Sequence, residues 1–172
     1  ARDTQSKLGD AVPDLAVAFV STHHESDFEN VARIMAKNLP SAKTFGCSGG
    51  GIIGNGVEVE QRPAVSITCA NLPDVKTVAF HLEAEDLPDL DSGPNSWEEL
   101  VKVSKDQEPQ FVMLADPFSF PVENLLLGLD FAFDQSAKIG GMASGAQQQG
   151  GNALFLNNRV YRSGAIGLAL HG

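Results

Sequence analysis

Two stretches of this chain lack the polar alternation that a half-exposed strand needs. Residues 15–20 and 111–115 are apolar without interruption and rich in β-branched and aromatic side chains. Such a run reads as a strand buried on both faces. Each is followed by apolar residues at helical spacing. These are Phe28, Val31, Ile34, Met35 and Leu39 in one case, and Val122, Leu125, Leu126, Leu129 and Phe133 in the other. Each helix then leads into a short strand that feeds a glycine-containing loop, at 42–45 before Gly46-Cys47-Ser48-Gly49 and at 137–141 before Met142-Ala143-Ser144-Gly145. Strand–helix–strand is solved by two parallel strands and a helical crossover. The expected fold is therefore α/β: a mixed β-sheet with covering helices, in two strand–helix–strand halves. The runs at 14–21, 111–115 and 164–170 should be its central strands.

Local signals place the ends of these elements. Ser26 or Asp27 caps the first helix and Pro40 ends it, while Pro121 suits the first turn of the later one. A short amphipathic helix is expected over 97–105, capped by Ser96 with Glu98 and Glu99 in its first turn. Residues 64–70 and 76–82 both alternate by two across Asn71-Leu72-Pro73-Asp74, which predicts neighbouring antiparallel strands. Residues 83–95 read as an acidic surface loop. Short strands at 153–156 and 160–162 flank Asn157-Asn158-Arg159, and 164–170 is the last strand. Residues 1–13 are polar and expected to be a flexible N-terminal segment, leaving 14–172 as one domain.

Charge narrows the range of partners. The 172 residues carry 22 Asp and Glu against 12 Lys and Arg, a formal net charge of -10. That field repels nucleic-acid phosphate and anionic lipid, so nucleic acid is excluded as an expected partner. No run approaches the roughly 18 apolar residues of a membrane span. Cys47 and Cys69 match neither a metal-ligand spacing nor a disulfide framework. An intracellular, reducing setting is expected: the cytoplasm, or an organelle stroma if a transit peptide has been removed. The chain lacks an initiator Met and is expected to be processed or excised from a longer one.

Ligands of open α/β sheets sit beyond the carboxyl ends of parallel strands. Four loops leave such ends here, at 21–24, 46–49, 116–119 and 141–145. Together with the adjoining Gly50, they offer His23, His24, Cys47, Ser48, Gly49, Asp116, Ser119, Gly141 and Ser144 to a pocket for a small polar molecule. Five glycines in 49–56 make either a tight connection or a backbone cradle for an anion. A zwitterion of amino-acid type would place its carboxylate on those N–H groups and its amine on Asp116. The same rim holds the parts of a nucleophile site, with Cys47 as thiolate and His23 or His24 as base. A thiol after a strand is equally a small buried residue. A Cys47-dependent hydrolase or transferase, and a non-catalytic scaffold that docks a protein partner, are thus the alternatives to metabolite binding.

The apolar run at 14–21, the Gly46-Cys47-Ser48 loop with Ile52-Ile53-Gly54, and Ile139-Gly140-Gly141-Met142-Ala143-Ser144-Gly145 resemble the N-terminal part of the FIST domain. So do Leu154-Phe155 and the stretch from Val160 to Gly164-Ala165-Ile166-Gly167-Leu168-Ala169-Leu170. The resemblance runs over 14–172. It implies a sensory domain for amino acids or similar metabolites, found in bacterial, algal, plant and F-box-linked signalling proteins. A C-terminal companion domain is the usual partner within the chain. Some members carry haem, but no histidine here sits in an axial context, so no cofactor is expected.

Overall fold

A computed structural model describes residues 11–172. The flexible segment expected at 1–13 lies largely outside the described residues. Among the described residues eleven strands form two main sheets and a small hairpin. In the first half β1 (Leu15–Ser21) runs through a 3₁₀ turn (Thr22–Asp27) into α1 (Phe28–Asn38) and returns as β2 (Lys43–Gly49). β1 and β2 are parallel. The second half repeats this with β7 (Gln110–Ala115), α3 (Val122–Ala132) and β8 (Lys138–Met142), again parallel. Each first strand also takes an antiparallel neighbour: β5 (Val65–Ala70) for β1 and β11 (Ala165–His171) for β7.

The expected single sheet is in fact two. One has the order β10-β9-β2-β1-β5, with β9 (Leu154–Leu156) and β10 (Arg159–Tyr161); the other has the order β6-β11-β7-β8, with β6 (Lys76–Leu82). β5 and β6, expected to pair with each other, lie in different sheets, so 71–75 is a crossing between sheets and not a hairpin turn. The sheets face each other through Phe45, Cys47, Leu154, Ile166 and Leu168. Outside the first sheet, α1 packs Phe28 and Ala32 on Val20, Ala153 and Phe155. Outside the second, α3 and the short α2 (Pro94–Val101) bury Trp97, Leu125 and Leu129 on Phe80, Phe111 and Met113. Four layers result, α/β/β/α, and β1, β7 and β11 are interior strands, as their unbroken apolar character requires. Phe19 is a partial exception at 37 % exposure.

Three local expectations shift. α1 is preceded by a 3₁₀ turn, and the Asp27 side chain accepts from the Asn30 amide instead of capping the backbone. α2 starts at Pro94, three residues before Trp97, and Ser96 does not cap it. The latter half of the glycine stretch is β3 (Gly51–Gly54), paired with β4 (Val57–Glu60) in a separate hairpin.

Candidate functional site

The two halves bring their second strands to the same spot. Gly46 lies opposite Ala18 and Gly140 opposite Met113. A side chain at either glycine would run into the facing carbonyl oxygen, so both strands need glycine for one reason. Beyond these contacts the two loops meet. The Ser144 N–H donates to the Ser48 carbonyl at 3.1 Å, and the Gly50 N–H donates to Ser144 Oγ at 3.1 Å. Gly50 then rests on Gly145, whose Cα would stand 3.5 Å from a Cβ placed on Gly50. Gly145 has φ +96°, and a side chain there would press on Thr22 and on the Gly50 backbone. Glycine alone satisfies both demands.

A buried polar chain lies beneath this junction. Ser48, Asn152 and Asp116 are each at most 1 % exposed. Ser48 Oγ accepts from the Ala153 N–H at 3.0 Å and donates to Asn152 Oδ1 at 3.3 Å. Asn152 Oδ1 also accepts from the Ala146 N–H at 3.2 Å, while Asn152 Nδ2 donates to Asp116 Oδ1 at 3.0 Å. The other carboxylate oxygen, Asp116 Oδ2, accepts from Ser119 Oγ at 2.6 Å, and Ser119 Oγ accepts from the Gly164 N–H at 3.0 Å. The chain runs from β2, through the loop before β9, to the end of β7 and the start of β11, so it ties the two sheets together. Among the described ion pairs, His81–Glu83, Lys138–Asp130 and Arg162–Glu29, none involves Asp116. Its carboxylate is held by neutral donors in a site without water access, where charge is costly.

The residues named from the sequence therefore divide. Ser48, Asp116, Ser119, Ser144 and Gly50 join in one connected arrangement, and Gly49 is buried beside it. Asp116 lies beneath the rim and not on it, and its oxygens are taken by Asn152 and Ser119. Cys47 does not join: it points with Phe45 into the layer between the sheets. Burial pushes its thiol up to about 12. His23 is exposed in the 3₁₀ turn after β1, so the Cys47–histidine pair is not assembled. Gly141 is exposed on β8 and lines a separate, mostly apolar cavity of about 290 Å³ with Met113, Val122, Leu125 and Met142. Sequence reasoning missed Asn152, which holds the centre of the chain but follows Gln-Gln-Gln-Gly-Gly and looks like turn filler. Among the described residues no group of three or more His, Cys, Asp or Glu is placed to hold a metal ion. No helix among them is long and apolar enough to cross a membrane.

Comparison with known proteins follows the same boundaries. The FIST N domain model matches residues 14–172. The chain is 27 % identical over 172 residues to the uncharacterized protein Rv0628c of Mycobacterium tuberculosis (strain ATCC 25618 / H37Rv). It is 24 % identical over 172 residues to the uncharacterized protein Mb0898c of Mycobacterium bovis. Each alignment covers 100 % of this chain and 43 % of the relative, so the chain spans less than half the length of these relatives. With the family model covering nearly all of the described structure, the chain belongs to the FIST N domain family, a family of sensory, ligand-binding domains in signal transduction.

Proposed function

We propose that this domain senses a small polar metabolite of amino-acid type, bound on the rim where the 46–51 and 140–145 loops meet. The observation that carries this reading is the junction itself. Equivalent loops from the two halves touch through glycine backbone, with Gly50, Ser144 and Gly145 exposed above a buried polar chain. Ser144 Oγ accepts from Gly50 and still has its own proton to donate to a ligand carboxylate. Below it, the Asp116 charge lacks a cationic partner among the described residues, and its field favours a ligand ammonium on the rim. Occupancy would bear on both sheets at once, because the loops belong to different sheets. A rim shared with a companion domain is compatible with this placement.

A Cys47 enzyme is the weaker reading. A thiol in an apolar layer, shifted upward by desolvation and away from the exposed His23, supplies almost no thiolate near neutral pH. The test of the main reading is a thermal-shift screen of the chain against amino acids and related zwitterions. A ligand at about 100 times its dissociation constant adds roughly 2.7 kcal/mol, a rise of about 5–11 °C for a domain of this size. Ser144→Ala should remove most of that rise while leaving the melting point without ligand within about 2 °C. A ligand whose shift is untouched by Ser144→Ala and by Gly50→Ala binds elsewhere, and would refute this placement.

A further inference from the structure

The two halves differ at one edge. In the first, β2 offers its outer backbone groups at Thr44, Gly46 and Ser48, and β9 takes them up: the Asn157 N–H donates to Thr44, the Ser48 N–H to Ala153, and Gly46 faces Phe155. By the Gly46–Gly140 equivalence, the corresponding groups of β8 belong to Lys138, Gly140 and Met142. β8 ends its sheet, and among the described residues no strand lies on its outer side. Natural edges of this kind are blunted with charge, proline or a bulge. This one is not. No Asp or Glu occurs after Asp134, and Lys138, the one charge on β8, is already paired with Asp130 at 3.0 Å.

We infer that β8 is a dimer edge, filled by β8 of a second copy in antiparallel pairing centred on Gly140. The register is self-complementary, as a two-fold interface demands. It sets Gly140 against Gly140 and Lys138 against Met142 as hydrogen-bonded pairs, using the groups that β7 leaves free. Ile139 then faces Gly141 as a non-hydrogen-bonded pair, in which side chains approach most closely. Ile139 is 63 % exposed, and the space where Gly141 lacks a side chain is empty for 4 Å. Each Ile139 therefore covers the bare Gly141 of the other copy. Two chains of net charge -10 repel each other, and an edge strand that carries no carboxylate of its own, with the neighbouring Asp130 paired to Lys138, adds least to that repulsion. Raising salt should strengthen the dimer, since screening removes repulsion and the proposed pairing places no ion pair across the contact.

Sedimentation velocity on the chain across micromolar to submillimolar concentration, with hydrogen exchange read at β8, tests this. The expected result is a monomer–dimer equilibrium in which the Gly140 and Met142 amides gain protection as dimer forms. The Ile139 and Gly141 amides, which face β7, are protected throughout. Ile139→Asp should weaken association by at least about tenfold, through carboxylates placed against the partner's backbone, while Ile139→Val should nearly preserve it. A monomer at every concentration overturns the proposal and leaves the edge to a strand of another polypeptide. A dimer that ignores Ile139→Asp, or whose Gly140 and Met142 amides stay unprotected, overturns it equally.

Discussion

Replacing Asn152 by alanine is the sharpest probe of the junction, because this one amide joins three of its parts. The substitution deletes the bond to Asp116 at 3.0 Å and those to Ser48 Oγ at 3.3 Å and Ala146 N–H at 3.2 Å. A hydrogen bond to a charged group contributes about 1.5–3 kcal/mol and a neutral one about 0.5–1.5 kcal/mol. The two neutral bonds are long, which sets them near the bottom of their range. The charged one sits at its upper end, because Asp116 is fully buried and would be left with Ser119 Oγ as its one side-chain donor. The expected loss is about 3–5 kcal/mol. Urea denaturation should show it as a lower midpoint at unchanged m-value. The double variant Asn152→Ala with Asp116→Ala should cost about 1.5–3 kcal/mol less than the sum of the single changes, since both delete the same charged contact. A loss under about 1 kcal/mol for Asn152→Ala would mean that water replaces the amide readily. The buried chain would then not be what holds the junction together.

Other perturbations give separate outcomes. Gly128→Ala should destabilise by about 1–3 kcal/mol in thermal melts, because a Cβ there runs into the Trp97 ring and overpacking outweighs the gain of about 1 kcal/mol in helix propensity. Gly145→Ala should cost at least about 1–2 kcal/mol through its positive φ and its contact with Thr22, whereas Gly50→Ala, with ordinary contacts only, should stay within about 0.5 kcal/mol. The Cys47 thiol, raised by burial from 9.0 to about 12, makes the folded chain hold this proton more tightly than the unfolded one. Its contribution is therefore complete below pH 9 and lost as pH rises toward 12. Cys47→Ala should flatten that alkaline slope in urea titrations, and an unchanged slope would show that the thiol is not the group responsible. At neutral pH Cys47 should resist thiol reagents in the native state and react only on unfolding, while the half-buried Cys69 reacts first.

How far the sequence carried the argument depends on which question was put to it. Unbroken apolar runs identified β1, β7 and β11 as interior strands, since that property belongs to the strand alone. Alternation also found β5 and β6, but it reports which face is buried and not which strand lies alongside. A four-residue link between two alternating runs serves a hairpin or a crossing between sheets, and here it is the crossing. The period of two held a clue about Cys47 as well. It shares parity with Phe45, so it points into the core, while Gly46 and Ser48 face the other way. Asn152 had no comparable signal. Its value comes from Ser48, over a hundred residues earlier, and from Asp116 on the other sheet.

The asymmetry between the halves is where their shared plan becomes specific. Both use a glycine to let the second strand approach the first, and both end in a small-residue loop. From the first half comes Ser48; from the second come Asp116, Ser119 and Ser144; the loop before β9 supplies Asn152, and β9 itself pairs with β2. A symmetric seam would present the same groups twice and would suit a symmetric ligand. This seam has a buried carboxylate beneath it and, at its surface, the Ser144 hydroxyl, which accepts from the Gly50 N–H and keeps its own proton to donate. On the function proposed above, that pairing would favour a ligand with a cationic and an anionic end. Exchanging the ends tests this directly. Asp116→Asn keeps the Asn152 and Ser119 side chains within reach but removes the charge, so it should weaken zwitterions more than simple carboxylates of the same size. Equal weakening of both classes in calorimetric titrations would show that Asp116 supports the loops without selecting the ammonium, and the zwitterion argument would not stand.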